Sequence, residues 1–110
     1  LNLRNLLFAD GFEAATVNAA AGSFALPSAA LRGVVDATAR AVFVLDDAQG
    51  QAARVYARVF DGQLQYALAL RDSNGRLRLG AWLSHPAEPQ LRWTAREQAR
   101  GWVVQSVTLE

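Results

Sequence analysis

The stretch ARVYARVF-DG-QLQYALALR-DSNG-RLRLGAWL, residues 53–83, spells out three antiparallel β-strands. An Asp61-Gly62 pair between alternating apolar runs is a strong signal for a two-residue type I′ turn. Such a turn sets Val59 against Leu64, Ala57 against Tyr66, Val55 against Leu68 and Ala53 against Leu70. These residues share one face, apolar apart from the Tyr66 hydroxyl. The other face collects Arg54, Tyr56, Arg58, Phe60, Gln63, Gln65, Ala67 and Ala69. A slip of one residue would exchange the two faces, so the pattern specifies its own register.

A four-residue loop over 72–75 then predicts Leu70 opposite Leu77, Leu68 opposite Leu79, Tyr66 opposite Ala81 and Leu64 opposite Leu83. In that register Arg76, Arg78, Gly80 and Trp82 join the polar face.

Outward from this meander, strands are expected at 1–9, 23–26, 30–35, 40–45, 90–94 and 102–110. Loops are expected at 10–11, 18–22, 46–51 and 84–89, and a charged connection with room for one helical turn at 95–101. Many short strands with no long helix predict one all-β domain over 1–110: an antiparallel β-sandwich, jelly-roll-like, with an up-and-down barrel as the alternative. Both ends lie in strand-like sequence. Either a larger sandwich continues beyond them, or the end strands pair with a neighbouring molecule.

A length of 110 residues suits a single modest core. The hydrophobic fraction is 52%, but Ala is the commonest residue, so burial must rest on Leu, Val, Phe, Tyr and Trp. All 11 basic residues are Arg, and Cys and Lys are absent. Lysine Schiff-base chemistry, thiol chemistry and disulfides are thereby excluded. A net charge of +1 gives no general attraction to nucleic acid or to an acidic membrane surface. No apolar run approaches a membrane span. The chain begins at Leu1 without Met, so it is expected to be a mature or excised piece of a longer product.

The segment Leu7-Phe8-Ala9-Asp10-Gly11-Phe12-Glu13 resembles the opening of many bacterial secreted domains, including β-sandwich carbohydrate-binding modules. The segments 41–47 and 54–60 are similar to the strand, Asp-Asp turn and strand of laminin G-like and concanavalin A-like jelly rolls. The resemblance implies an exported protein, periplasmic, extracellular or at the cell surface, that binds carbohydrate without catalysis. A full concanavalin-like sandwich is longer, so this one is expected to be incomplete at its C-terminal end. The resemblance also implies a structural Ca²⁺ held by Glu13 with Asp10 and backbone carbonyl oxygens. Ca²⁺ takes six to eight oxygen ligands, and the competing reading of Asp10-Gly11 is a plain turn.

The polar face of the meander is the other candidate. Small residues at its centre (Ala67, Ala69, Gly80) are flanked by Tyr56, Arg58, Gln65, Arg78 and Trp82. Aromatic rings stack on the C–H faces of sugars, and guanidinium and amide groups meet their hydroxyls. The competing reading is that Tyr56 and Trp82 simply cover the sheet.

His85 is the single histidine, which rules out a multi-His metal site. Asp46-Asp47 reads as turn chemistry. Glycosidases need two carboxylates about 5 to 9.5 Å apart. Of the glutamates only Glu110 is expected on a sheet face, so an enzyme is not expected. The remaining alternative is a structural or adhesion subunit that forms homo-oligomers through exposed strand edges.

Overall fold

Asp61 and Gly62 both adopt positive φ, 52° and 74°, the combination a type I′ turn requires. Strand β4 (Gly50–Phe60) and strand β5 (Gln63–Arg71) pair through it in the expected register: Val59 with Leu64, Ala57 with Tyr66, Val55 with Leu68 and Ala53 with Leu70. This computed structural model describes residues 12–85 and 87–110. The strand expected at 1–9 and the Asp10-Gly11 turn lie outside the described residues.

The remaining elements are β1 (Glu13–Thr16), β2 (Ala21–Ala25), a one-turn helix α1 (Ser28–Leu31), β3 (Arg40–Asp47), β6 (Leu77–Leu79), β7 (Leu83–Ser84), β8 (Gln90–Gln98) and β9 (Gly101–Leu109). They form a β-sandwich of two sheets. The larger runs β1-β3-β4-β5-β6, with β7 also on β5, and the smaller runs β2-β8-β9. Pairing is antiparallel throughout the described residues except where β1 joins β3 in parallel. The larger sheet is a meander with a parallel edge strand, and these pairings do not establish jelly-roll connectivity.

The core is built from the faces that alternation predicts. Ala53, Val55, Ala57, Leu64 and Tyr66 are buried beneath β2 and β8, together with Phe43 and Leu45 of β3. Burying each large apolar side chain contributes roughly 1.5–3 kcal/mol. Phe43 stacks on Phe24 of β2 at 4.5 Å and on Trp93 of β8 at 6.4 Å, joining the sheets through aromatic contact. Gly22 belongs to β2 rather than to the expected loop. The Trp93 indole lies where any side chain at 22 would go, 2.5 Å from an ideal Cβ.

Four other sequence expectations need correction. Residues 30–35 do not form a strand. Pro27 starts α1, and Leu31 and Val35, four apart, are both buried. The polar segment 46–51 is mostly strand, since β3 runs to Asp47 and β4 begins at Gly50. The charged segment 95–101 is strand as well, turning only between Gln98 and Gly101.

The fourth correction is the register of β6. Asp72 N–H donates to the Arg76 carbonyl (2.8 Å) and Gly75 N–H to the Asp72 carbonyl (3.0 Å). The loop is therefore the three residues 73–75, ending in Gly75 with φ 79°, as three-residue hairpin loops do. Leu70 consequently faces Arg78, and Ala69 faces Leu79. Beyond β6 the chain slips once more, so that Tyr66 faces Leu83 and Gln65 faces Ser84.

Candidate functional site

Alternation along β4 and β5 turns Arg54, Tyr56 and Arg58 outward beside Ala69, Ala67 and Gln65, on the face away from the second sheet. The slip before β7 then decides what stands on the far side. Leu83 lies beside Tyr66, so the preceding Trp82 projects to the opposite face, beside Ala67. Tyr56 and Ala67 are a strand pair whose row Trp82, just before β7, continues, and Arg58, Gln65 and Ser84 form the next.

These rows are organised by direct contacts. Arg58 Nε–H donates to Gln65 Oε1 at 2.9 Å. Its guanidinium carbon sits 4.3 Å from the Trp82 ring centroid and 4.8 Å from that of Phe60. Such cation–π contacts contribute about 0.5–1 kcal/mol at exposed sites. Ser84 Oγ–H donates to Gln63 Oε1 at 2.9 Å. Tyr56, Arg58, Gln65 and Trp82 are all half-buried. Ala67 and Ala69 are only 1% and 2% exposed, so the flanking side chains present the surface, rather than the alanine floor between them.

Arg78, expected on this face, is elsewhere. The three-residue loop puts it opposite Leu70, and its Nε–H donates to Asp72 Oδ2 at 2.7 Å. Asp72 also accepts from Asn74 N–H and Arg76 N–H. The Arg78 and backbone donors hold its carboxyl below the ordinary aspartate value.

Next to Tyr56 the face deepens into an open cavity of about 580 Å³, lined among others by Gln51, Arg54, Tyr56, Arg71, Asp72 and Arg76. Arg54 is oriented by two neutral groups: Nε–H donates to Gln51 Oε1 (2.7 Å) and Nη1–H to the Tyr56 hydroxyl oxygen (3.2 Å). Arg71 is held by Asp47, with Nη1–H donating to Oδ1 at 2.9 Å and Nη2–H to Oδ2 at 2.6 Å. The same carboxylate accepts from Gln49 N–H and from Val104 N–H of β9, both at 2.8 Å. Burial alone would raise the Asp47 pKa; the Arg71 and backbone donors outweigh it and lower the pKa. Asp47 was expected to do turn chemistry, and its bond to Gln49 is that. Its bonds to Arg71 and Val104 also tie the two sheets together, which no local pattern announces.

Glu13, the described member of the expected calcium pair, is 2% exposed and lies in β1 beside Phe43. It shares a face with Ala15 and Val17, which pack against the core. A glutamate on a sheet face at this position corrects the expectation that only Glu110 would be found there. Asp10 lies outside the described residues. No group of three or more His, Asp or Glu side chains is poised to hold a metal among the described residues. His85 hydrogen-bonds within its own loop, its Nδ1 lying 2.8 Å from the Ala87 carbonyl oxygen. No helix among the described residues is long and apolar enough to cross a membrane.

Comparison of the chain with protein-family models, with curated proteins and with solved structures finds no match.

Proposed function

We propose that the protein is a non-catalytic, carbohydrate-binding β-sandwich module of an exported bacterial protein, and that it binds glycan on the outer face of the larger sheet. The observation that carries this reading is the row Tyr56, Ala67, Trp82 with Arg58 and Gln65 beside it. A sugar ring laid along the row meets two aromatic side chains. Its hydroxyls meet the Arg58 guanidinium and the Gln65 amide, already fixed by their mutual hydrogen bond. Calorimetric titration against a panel of oligosaccharides tests the reading. Trp82→Ala is expected to weaken binding about tenfold, a loss of about 1.4 kcal/mol, while Trp102→Ala in the smaller sheet leaves it unchanged. Equal binding by wild type and Trp82→Ala would remove this face from consideration.

A second reading rests on Leu79 and Leu83, 53% and 58% exposed on the edge that β6 and β7 form among the described residues. An exposed strand edge bearing leucines is a template for pairing with a second copy. Light scattering across a concentration series tests it, and a monomer at every concentration would exclude it.

A further inference from the structure

We propose that the cavity beside Tyr56 takes a carboxylate-bearing sugar residue, so that the ligand is an acidic polysaccharide; this rests on the glycan reading of the outer face. The argument is a count of charges around the cavity. Four ionised side chains line it: Arg54, Arg71, Arg76 and Asp72. Arg71 is neutralised by Asp47, whose carboxylate lies behind it against β9. Asp72 is neutralised by Arg78, which does not line the cavity. What remains is Arg54 and Arg76, two guanidinium groups with no acidic partner among the described residues.

Arg54 is also aimed. Gln51 and the Tyr56 hydroxyl fix two of its donor groups and leave the rest of the fork to a ligand. Arg76 is exposed, and among the described residues its hydrogen bonds run through its backbone, the N–H donating to the Asp72 carboxylate and the carbonyl accepting from the Asp72 N–H. A half-buried guanidinium facing open volume is suited to a planar carboxylate, which it can grip through two parallel bonds. The volume of about 580 Å³ falls within the range of about 300–1,000 Å³ usual for small-ligand sites. Tyr56 belongs to both the cavity and the aromatic row, so one glycan chain can reach from Trp82 into the cavity. The carboxylate would be that of a uronic acid unit of that chain, with the neighbouring units on the row.

The test uses oligogalacturonate and its fully methyl-esterified form, which share a backbone and differ in charge. Wild type is expected to bind the acidic form about tenfold more tightly, because the ester offers the guanidinium groups only neutral acceptors in place of a charge-assisted hydrogen bond. The preference should shrink as salt is raised. The double variant Arg54→Gln/Arg76→Gln is expected to lose the preference while keeping its unfolding midpoint. Equal binding of both forms by wild type, or a preference that survives the double variant, overturns the proposal. So does complete displacement of the oligomer by millimolar sulfate, which would mark a plain anion site. If the ester binds in a Trp82-dependent way and the acid binds no better, the cavity proposal falls and the glycan reading stands. If no glycan binds, both fall.

Discussion

Arg71 and Asp72 are adjacent in the chain, yet each ends in a different kind of ion pair. Arg71 reaches inward to Asp47, whose side chain is 0% exposed, and the pair connects β5 to the end of β3 and, through Val104 N–H, to β9. Asp72 reaches outward to Arg78, whose side chain is 76% exposed, and its other bonds stay within its own loop. The difference lies in what each carboxylate holds. Asp47 joins two sheets that otherwise meet mainly through apolar contact. Asp72 shapes one hairpin, and Arg78, outside the cavity that Asp72 lines, offsets its charge. Charge at this end of the molecule thus serves both the fold and the site.

The comparison breaks first if Asp47 proves dispensable. Asp47→Ala leaves a largely buried guanidinium and a β9 N–H without their acceptor. It is expected to cost about 3–5 kcal/mol in urea unfolding, and a loss below about 1 kcal/mol would show that the clamp is ornamental.

Acid sharpens the same point. The Asp47 pKa is depressed on folding, so its contribution is fully present above the unfolded value, near the ordinary 3.8, and is lost as pH falls through the lower folded value. Stability should therefore drop below about pH 4, and Asp47→Asn, measured across the same range, should flatten that drop.

Gly75→Ala comes next. At φ 79° an L side chain is expected to cost about 1 kcal/mol, through the loop that holds Asp72. Arg78→Ala should have the smallest effect: its urea midpoint is expected to match wild type within error, because solvent and salt screen an exposed pair. A large loss there would erase the distinction between the two pairs.

How far the fold was legible follows from how many local solutions each segment allows. Asp61-Gly62 between two alternating runs has one good solution, so β4 and β5 could be paired residue by residue. Asp72-Ser73-Asn74-Gly75 has two, a four-residue loop and a three-residue loop with Gly75 last. They differ only in whether Asp72 pairs with Arg76, a choice made by the Asp72 carboxylate as it accepts two backbone N–H groups. That choice moved Arg78 off the candidate face. Leu31 and Val35 carried a helical spacing, after a proline, that competed with apparent alternation and won. Residues 95–101 lacked an apolar face because this part of β8 is largely exposed.

The candidate site was legible where it depended on alternation, at Tyr56, Arg58 and Gln65. The expected register put Trp82 on this face opposite Gln65; the slip between β6 and β7, which has no sequence signal, moves it beside Ala67. The Asp47–Arg71 pair spans 24 residues and meets β9 only in three dimensions, so no spacing rule reaches it.

The central claim is that ligand lies on the row of Tyr56 and Trp82, and the three tryptophans provide a direct test. Each gives its own indole N–H resonance, and they occupy different environments: Trp82 on the outer face, Trp93 of β8 stacked on Phe43, Trp102 on β9. Titration of isotope-labelled protein with oligogalacturonate, or with the best-binding member of the glycan panel, is predicted to shift the Trp82 signal progressively to saturation. Those of Trp93 and Trp102 should stay in place. Saturable binding that moves Trp102 and leaves Trp82 untouched would contradict the account.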